Sequence, residues 1–428
     1  MPQKIGFGAM LAIVFGSQIG AGILVLPSHL APYGVFGLYG WTLAGLVAMM
    51  LAFVFAKLCS NFPITGGPYI YVQKAFGNIP AFFTGWAYWI ASMVSNIVLV
   101  ITAIQCLRPF LGDVPYLYSI LEVVLICTLM FINCKSVTLS GKLETLLTIL
   151  KFIPFCVIPL IVCTHFDASY IQISEQYRDV SAIKMLINVV AISFFGFIGV
   201  ECATAPAGSV ENPSKTIPRA IIIGTFCVVL VYFINNLAIM GVIPGNELAN
   251  SPAPFVEAIE RVCGSNISKL ISAITSIVII GTLNAWIITS SQILLGLSEG
   301  DFMPKFLAKK NKAGSPYVSV IVNCLAMMPI LALTKIGSIS DQIMNIIDFS
   351  VITFLFVYAI CTMAFIKALG ISIKVITLGV VTLFFCTIII IESPIIAITC
   401  SVVMILSGAI ALPFINKKKQ KKFKKLTD

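Results

Sequence analysis

Apolar runs of bilayer length recur from one end of this chain to the other, separated by short polar gaps. Twelve can be marked, at roughly 6–31, 35–57, 79–105, 116–134, 143–164, 183–206, 220–243, 269–297, 317–335, 343–366, 372–391 and 393–415. A hydrocarbon core about 30 Å thick asks for about 20 consecutive apolar residues per helix. The pattern therefore predicts an all-α polytopic membrane protein with twelve transmembrane helices. The division between the last two spans is the faintest, marked by Glu392, Ser393 and Pro394. The gaps are too short for a separate soluble domain, so residues 1–415 read as one transmembrane domain and residues 416–428 as a Lys-rich tail.

Two of the runs are interrupted. Span 1 carries Gly16-Ser17-Gln18-Ile19-Gly20-Ala21-Gly22-Ile23, and span 6 carries Gly196, Gly199 and Glu201 within SFFGFIGVE. A continuous lipid-facing helix has no use for these residues. Glycine lets the backbone leave helix geometry, and an intramembrane carboxylate is costly unless it faces a cavity or pathway. Glycines also allow helices to pack closely, which would explain one interruption taken alone. Two interruptions five spans apart point instead to an inverted-repeat transporter with broken helices 1 and 6. Spans 1–5 and 6–10 would be the repeats, an odd number of spans inverting the second against the first. Amides near Gly20, Ala21 and Gly22, at the start of a half-helix, suit a carboxylate. The freed carbonyls of both breaks suit an ammonium group, so a zwitterionic amino acid meets both demands.

The chain has 428 residues, 59% hydrophobic and 10% charged, with a net charge of +10. That charge is a matter of topology rather than of nucleic-acid binding. With a cytoplasmic N-terminus, the inner loops hold Lys57, Lys135, Lys215, Arg219, Lys305, Lys309, Lys310 and Lys312, and the tail adds seven lysines from Lys417 to Lys425. The outer loops hold only Arg108, Arg178, Lys184, Arg261, Lys269 and Lys335, and acids concentrate there, among them Asp167, Glu175, Glu247, Glu257 and Glu260. Both termini are then cytoplasmic by the positive-inside rule, and the tail can touch anionic lipid heads. Lys4 precedes a long run with no cleavage site, so span 1 reads as its own uncleaved signal. The 13 cysteines are scattered without a CxxC or Cys/His cluster, which leaves metal and disulfide readings weak and suggests no cofactor. No HExxH, P-loop or GxSxG motif is present, against a membrane enzyme. A channel remains the third class, separable by its currents.

GSQIGAGILVLP in span 1, GGPYIYVQKAFG after span 2, YWIASMVSN in span 3, SFFGFIGVE with ENPSKTIPRAI at span 6, and NKAGSPYVS before span 9 together carry a resemblance over nearly the whole chain. The sequence resembles the amino acid–polyamine–organocation superfamily, most closely its basic amino acid/polyamine antiporters such as arginine/agmatine and putrescine/ornithine exchangers. The resemblance implies a LeuT-like 5+5 fold plus two helices, in a bacterial inner membrane, exchanging cationic amino acids or polyamines. It leaves room for a homodimer. It also implies roles for residues. The substrate carboxylate would meet the amides of Ala21 and Gly22, and its ammonium the carbonyls of Gln18, Phe195 and Ile198. Ala91, Ser92, Asn96 and Leu99 would receive the side chain. Tyr88 matches an outer-gate tyrosine, Phe195 a gating tryptophan, Trp286 a tryptophan below the substrate, and Glu201 a carboxylate tied to pH response. Ala21 departs from a serine, losing a hydroxyl. Lys151 in span 5 departs more: the exchangers lack it, while proton-coupled permeases often have it. It would serve a proton-coupled symporter, or else snorkel to the cytoplasmic interface.

Outside those motifs, Asp348 early in span 10 reads either as an attractor of cationic side chains or as a helix-start acid favoured by the dipole. His29 and His165 lie near span ends and read as solvated or capped. Asn284 and Gln292 read as interhelical hydrogen-bonding groups.

Overall fold

The computed structural model describes residues 6–411 apart from 21, 65, 113, 136–149, 151–153, 206, 208, 209, 252, 337 and 371. Lys151, Ala21 and the Lys-rich tail lie outside the described residues. Regular structure among the described residues is helical, with an isolated antiparallel bridge between Tyr33 and Ile173. Nine described helices are long and apolar enough to cross a membrane, and three shorter apolar ones accompany them. In chain order the main helices are α1 (Phe7–Gln18), α2 (Gly22–Leu30), α3 (Val35–Asn61), α4 (Pro68–Phe76), α5 (Asn78–Gln105), α6 (Pro115–Lys135) and α7 (Pro154–His165). There follow α8 (Ala182–Phe194), α9 (Pro213–Met240), α10 (Pro254–Cys263), α11 (Ser265–Glu299), α12 (Tyr317–Leu333), α13 (Ile339–Leu369), α14 (Ile373–Glu392) and α15 (Ile395–Leu406).

Several boundaries differ from the sequence expectation, two of them instructively. The polar stretch from Asn212 to Arg219 reads as a loop, yet α9 begins at Pro213. Proline suits the first helical position, where its missing N–H is no loss, and Asn212 before it takes φ 47°, in the left-handed region that asparagine tolerates. At the other end, α13 starts at Ile339, four residues earlier than the apolar pattern suggests.

Both interrupted runs are broken. α1 ends at Gln18, Ile19 turns extended with ψ 104°, and α2 resumes at Gly22. α8 ends at Phe194, a 3-10 turn covers Phe195–Phe197, Ile198 is extended with ψ 132°, and Gly199 has φ +109°. A side chain at 199 would meet that strained φ and also Ser17 O at 3.0 Å. The breaks touch: a Cβ on Gly22 would lie 2.9 Å from the Gly196 Cα. Glycine at both positions is what lets two unwound backbones cross.

Around the crossing, α1, α3, α8 and α9 pack together, and α5, α6, α11 and α12 form a second group. α1 lies on α9 as α8 lies on α3, the relation expected if the first two spans and the sixth and seventh are equivalent. Small residues bring these helices close. A Cβ on Gly45 of α3 would lie 2.7 Å from Val229 of α9, and one on Gly224 of α9 2.6 Å from Val14 of α1.

α6 is joined to the turn that follows α12 by an ion pair, Lys335 Nζ to Glu122 Oε2 at 2.5 Å, with side-chain exposures of 31% and 1%. Its members are unequal, because only the lysine reaches the surface. Lys335→Met strands a buried carboxylate and is expected to lower stability by about 3–5 kcal/mol, whereas Glu122→Gln leaves a hydratable ammonium and should cost about 1. Denaturant titration of the purified protein in detergent checks this. Equal losses from the two variants would show that the pair is not buried on the Glu122 side.

Candidate functional site

A cavity of about 40 Å³ lies where the two breaks meet. The α1–α2 break contributes Ser17, Gln18, Gly20 and Gly22, the span 6 break Phe195, Gly196 and Ile198, α5 Ser95, Asn96 and Leu99, and α11 Thr282 and Trp286. The sequence-selected Gln18, Gly22, Asn96, Leu99, Phe195, Ile198 and Trp286 are thus brought together. Ala91 and Ser92 are buried in α5 and are not among the lining residues. Ser92 spends its hydroxyl on Trp89 O at 2.8 Å. They sit one turn from Ser95 and Asn96, on the α5 segment leading away from the cavity.

The broken backbone of span 1 is held by the helices around it. Ser17 O accepts from Trp286 Nε1 at 3.0 Å. Gln18 O accepts from the Tyr232 hydroxyl of α9 at 2.5 Å, and Ile19 O from Thr282 Oγ1 at 3.0 Å. Three successive carbonyls that a continuous helix would satisfy internally are each taken by a different side chain. The Ser17 hydroxyl donates to Gly199 O at 3.2 Å, tying the two breaks together. Phe195 O accepts from Ile198 N at 3.3 Å within its own turn. Among the described residues the Gln18 and Phe195 carbonyls thus carry one bond each, and a carbonyl has a second lone pair for an ammonium.

Two side chains facing the cavity keep polar atoms without a partner among the described residues. Both Asn96 Oδ1 and Nδ2 are buried and unpaired, as is Gln18 Oε1, while Gln18 Nε2 is fixed on Thr225 Oγ1 at 3.1 Å. Buried polar groups are normally paired, so these atoms are the ones chemically open to a guest. Among the described residues, none that lines the cavity is charged. The site offers neutral hydrogen-bonding groups, backbone and aromatic faces.

One end of the cavity is closed by an aromatic and carboxylate cluster. Trp286 packs on Phe354 at 6.1 Å between ring centroids, Phe354 on Tyr88 at 5.3 Å and on Tyr358 at 5.9 Å. The Tyr88 hydroxyl donates to Glu201 Oε1 at 2.7 Å and the Tyr358 hydroxyl to Oε2 at 2.5 Å. Glu201 is fully buried, and both its oxygens are occupied. Phe195 stands at the other end of the span 6 break, next to α8. Tyr88 therefore lies with Glu201 and Trp286, two turns along α5 from Asn96, and away from Phe195.

Ser17, Ser95, Thr282, Tyr232 and Tyr358 are residues that sequence reasoning missed. Thr282 was reachable, being one turn from Trp286 on the same face of α11. Tyr232 and Tyr358 carry no such signal, since a tyrosine within an apolar run reads as packing. Asn284 makes the interhelical bond expected of it, accepting from Asn133 of α6 at 2.8 Å, whereas Gln292 is exposed.

This arrangement can be set beside known proteins. A cadaverine/lysine antiporter of Escherichia coli is 28% identical over 384 residues, covering 87% of this chain and 85% of that protein. A putative arginine/ornithine antiporter of Bacillus subtilis is 29% identical over 392 residues, 84% and 83% of the two chains. A putrescine transporter of Haemophilus influenzae is 25% identical over 354 residues, 82% and 81%. The sequence pattern of the amino acid permease family matches residues 5–421. With its apolar helices and that match, the chain belongs to the amino acid permease family, in the amino acid–polyamine–organocation superfamily, and is a multi-pass membrane protein.

Proposed function

We propose that this protein is an antiporter that exchanges cationic amino acids and polyamines across a cell membrane, the bacterial inner membrane, by alternating access. The observation that carries the reading is the cavity between two crossed helix breaks, where backbone and the unpaired Asn96 amide face one small space. The names of the relatives, antiporters of cadaverine, lysine, arginine and ornithine, supply the substrate class. In this reading the substrate carboxylate sits at the start of α2, at the Ala21 and Gly22 amides, where the helix dipole favours an anion. Its ammonium takes the remaining lone pairs of the Gln18, Phe195 and Ile198 carbonyls. The side chain runs toward Asn96 and Leu99, with the aromatic faces of Phe195 and Trp286 available to a cation. The packing of α1 on α9 and of α8 on α3 supports a LeuT-like inverted repeat, and the apolar pattern of the sequence supports twelve spans.

The lysine distribution makes the N-terminus cytoplasmic. α5 then runs outward, and Tyr88, on its N-terminal side of Asn96, faces the cytoplasm. We therefore assign Tyr88, with Glu201, Tyr358 and Trp286, to the inner closure rather than to an outer gate. Phe195 closes the cavity toward the outside. Proton-coupled symport through Lys151 is the competing mechanism, and the antiporter names of the relatives weigh against it.

Proteoliposomes preloaded with unlabelled lysine or cadaverine are expected to take up labelled lysine and arginine, and empty ones to take up little whatever the proton gradient. Gradient-driven uptake into empty vesicles would replace exchange by symport and make Lys151 its centre. Asn96→Ala is expected to raise KM for cationic substrates about tenfold, the worth of one hydrogen bond to a charged group. Phe195→Ala should slow exchange at least about tenfold while Phe195→Trp retains it, with thermal stability unchanged in both. Undiminished exchange by a folded Phe195→Ala protein would remove Phe195 from the gate.

A further inference from the structure

Thr225 lies fully buried on α9 and departs from a habit of threonines in these helices. Thr102, Thr353 and Thr362 each donate their hydroxyl to the carbonyl four residues back, at 2.7, 2.8 and 2.7 Å. Among the described residues Thr225 makes no such bond, and its hydroxyl meets only the side-chain amide of Gln18, whose Nε2 donates to it at 3.1 Å. A hydroxyl has one proton to donate and two lone pairs to accept with. Thr225 can therefore accept from the Gln18 nitrogen, as here, or donate to the Gln18 oxygen after a half-turn of the amide. The end torsion of a glutamine is broad and roughly two-fold, so that half-turn is cheap. The backbone stays put meanwhile, because Tyr232, two turns further along α9, holds the Gln18 carbonyl at 2.5 Å.

Gln18 ends α1 and lines the cavity, across the break from Gly22 and the start of α2. With its nitrogen on Thr225, its Oε1 is buried and has no partner among the described residues. Turned over, the amide leaves Nε2 in that place instead. The two faces matter because α2 begins there. The N-terminal amides and dipole of a helix favour an anion and oppose a cation, and neither Ala21 nor Gly22 has a polar side chain to alter that. An amino acid suits such an end with its carboxylate. A diamine brings ammonium groups alone.

We propose that Gln18 is a specificity-determining residue whose amide, pivoting on Thr225, offers nitrogen to the carboxylate of an amino acid and oxygen to an ammonium of a diamine. The inference rests on the reading of this protein as an exchanger of both kinds of cargo. An amide changes from donor to acceptor without changing charge. A lysine or arginine in its place would repel the diamine, and an aspartate or glutamate the carboxylate of the amino acid. An apolar residue would serve neither cargo and would strand the Thr225 hydroxyl. Glutamine against a hydroxyl that both donates and accepts has none of these faults. Thr225 keeps one hydrogen bond to the amide in either orientation, so the choice is left to the cargo.

The test uses the full chain in proteoliposomes preloaded with lysine, with KM measured for labelled lysine and labelled cadaverine and thermal stability followed beside it. Gln18→Glu keeps the size but presents oxygen alone. It should raise KM for lysine about tenfold and lower that for cadaverine, moving the ratio of the two by more than about tenfold. Gln18→Met, which has neither face, should raise both values about five- to tenfold. Thr225→Val removes the pivot and should raise both about threefold, and Thr225→Ser should recover most of that loss. A bond that merely clamped α1 to α9 would show itself as lowered thermal stability, with the two KM values moving in parallel in Gln18→Glu. Parallel movement there, or unchanged KM values in both Gln18→Met and Thr225→Val, overturns the proposal and leaves the carrier reading intact. So does a wild-type protein that carries lysine but no diamine. A wild-type protein that exchanges neither overturns both.

Discussion

Backbone polar groups cannot go unsatisfied in hydrocarbon, and the rest of this structure is arranged around two places where helices stop satisfying their own. Each unpaired N–H or C=O in such surroundings costs several kcal/mol. Span 1 meets the demand by lending its carbonyls out: Trp286, Thr282 and Tyr232 each take one. Those side chains come from α11 and α9, which fall in different packing groups. The break is therefore held from both sides, and its conformation is set by neighbours rather than by its own sequence. Glycine at 22 and 196 then lets the second break close on the first. What remains between them is a space whose described walls are backbone and neutral side chains.

A neutral site suits a substrate that brings its own charges of both signs. A carboxylate lining the cavity would compete with the substrate carboxylate, and a lysine with its ammonium. Helix-terminal amides and surplus carbonyl lone pairs serve both ends of an α-amino acid without fixing the third charge of a basic side chain. A diamine lacks the carboxylate altogether. A cavity whose described lining commits no full charge accommodates both kinds of cargo in the proposed exchange.

Much of this was legible because glycine and charge are costly in a membrane helix and therefore conspicuous in sequence. The two breaks and Glu201 follow from residues that have no business in a lipid-facing run, whereas Gln18, Asn96, Phe195 and Trp286 were picked out by the family resemblance, a phenylalanine or tryptophan being ordinary in an apolar run. The supporting residues were not legible. Tyr232 and Tyr358 hide in apolar stretches, and their hydroxyl partners come from spans more than a hundred residues away. Helix edges were missed for local reasons: Pro213 reads as a loop breaker but serves as a helix start. Direction was the hardest to read. A motif places Tyr88 in span 3, but only its packing with Glu201, away from Phe195, led to the proposal that it closes the inner end.

That end deserves its own physical account. Tyr88, Glu201 and Tyr358 come from α5, the span 6 break and α13, so one carboxylate fastens three segments by two hydrogen bonds. A closure built from apolar contact alone would shed its packing gradually as the helices part. A carboxylate with both oxygens occupied behaves differently. Losing one hydroxyl leaves a buried oxygen unpaired, a cost that lasts until water reaches it. The closure proposed for the inner end is thus either made or hydrated, with little between. In the proposed cycle this is the property an exchanger needs, because a half-open inner gate beside a half-open outer one would be a leak.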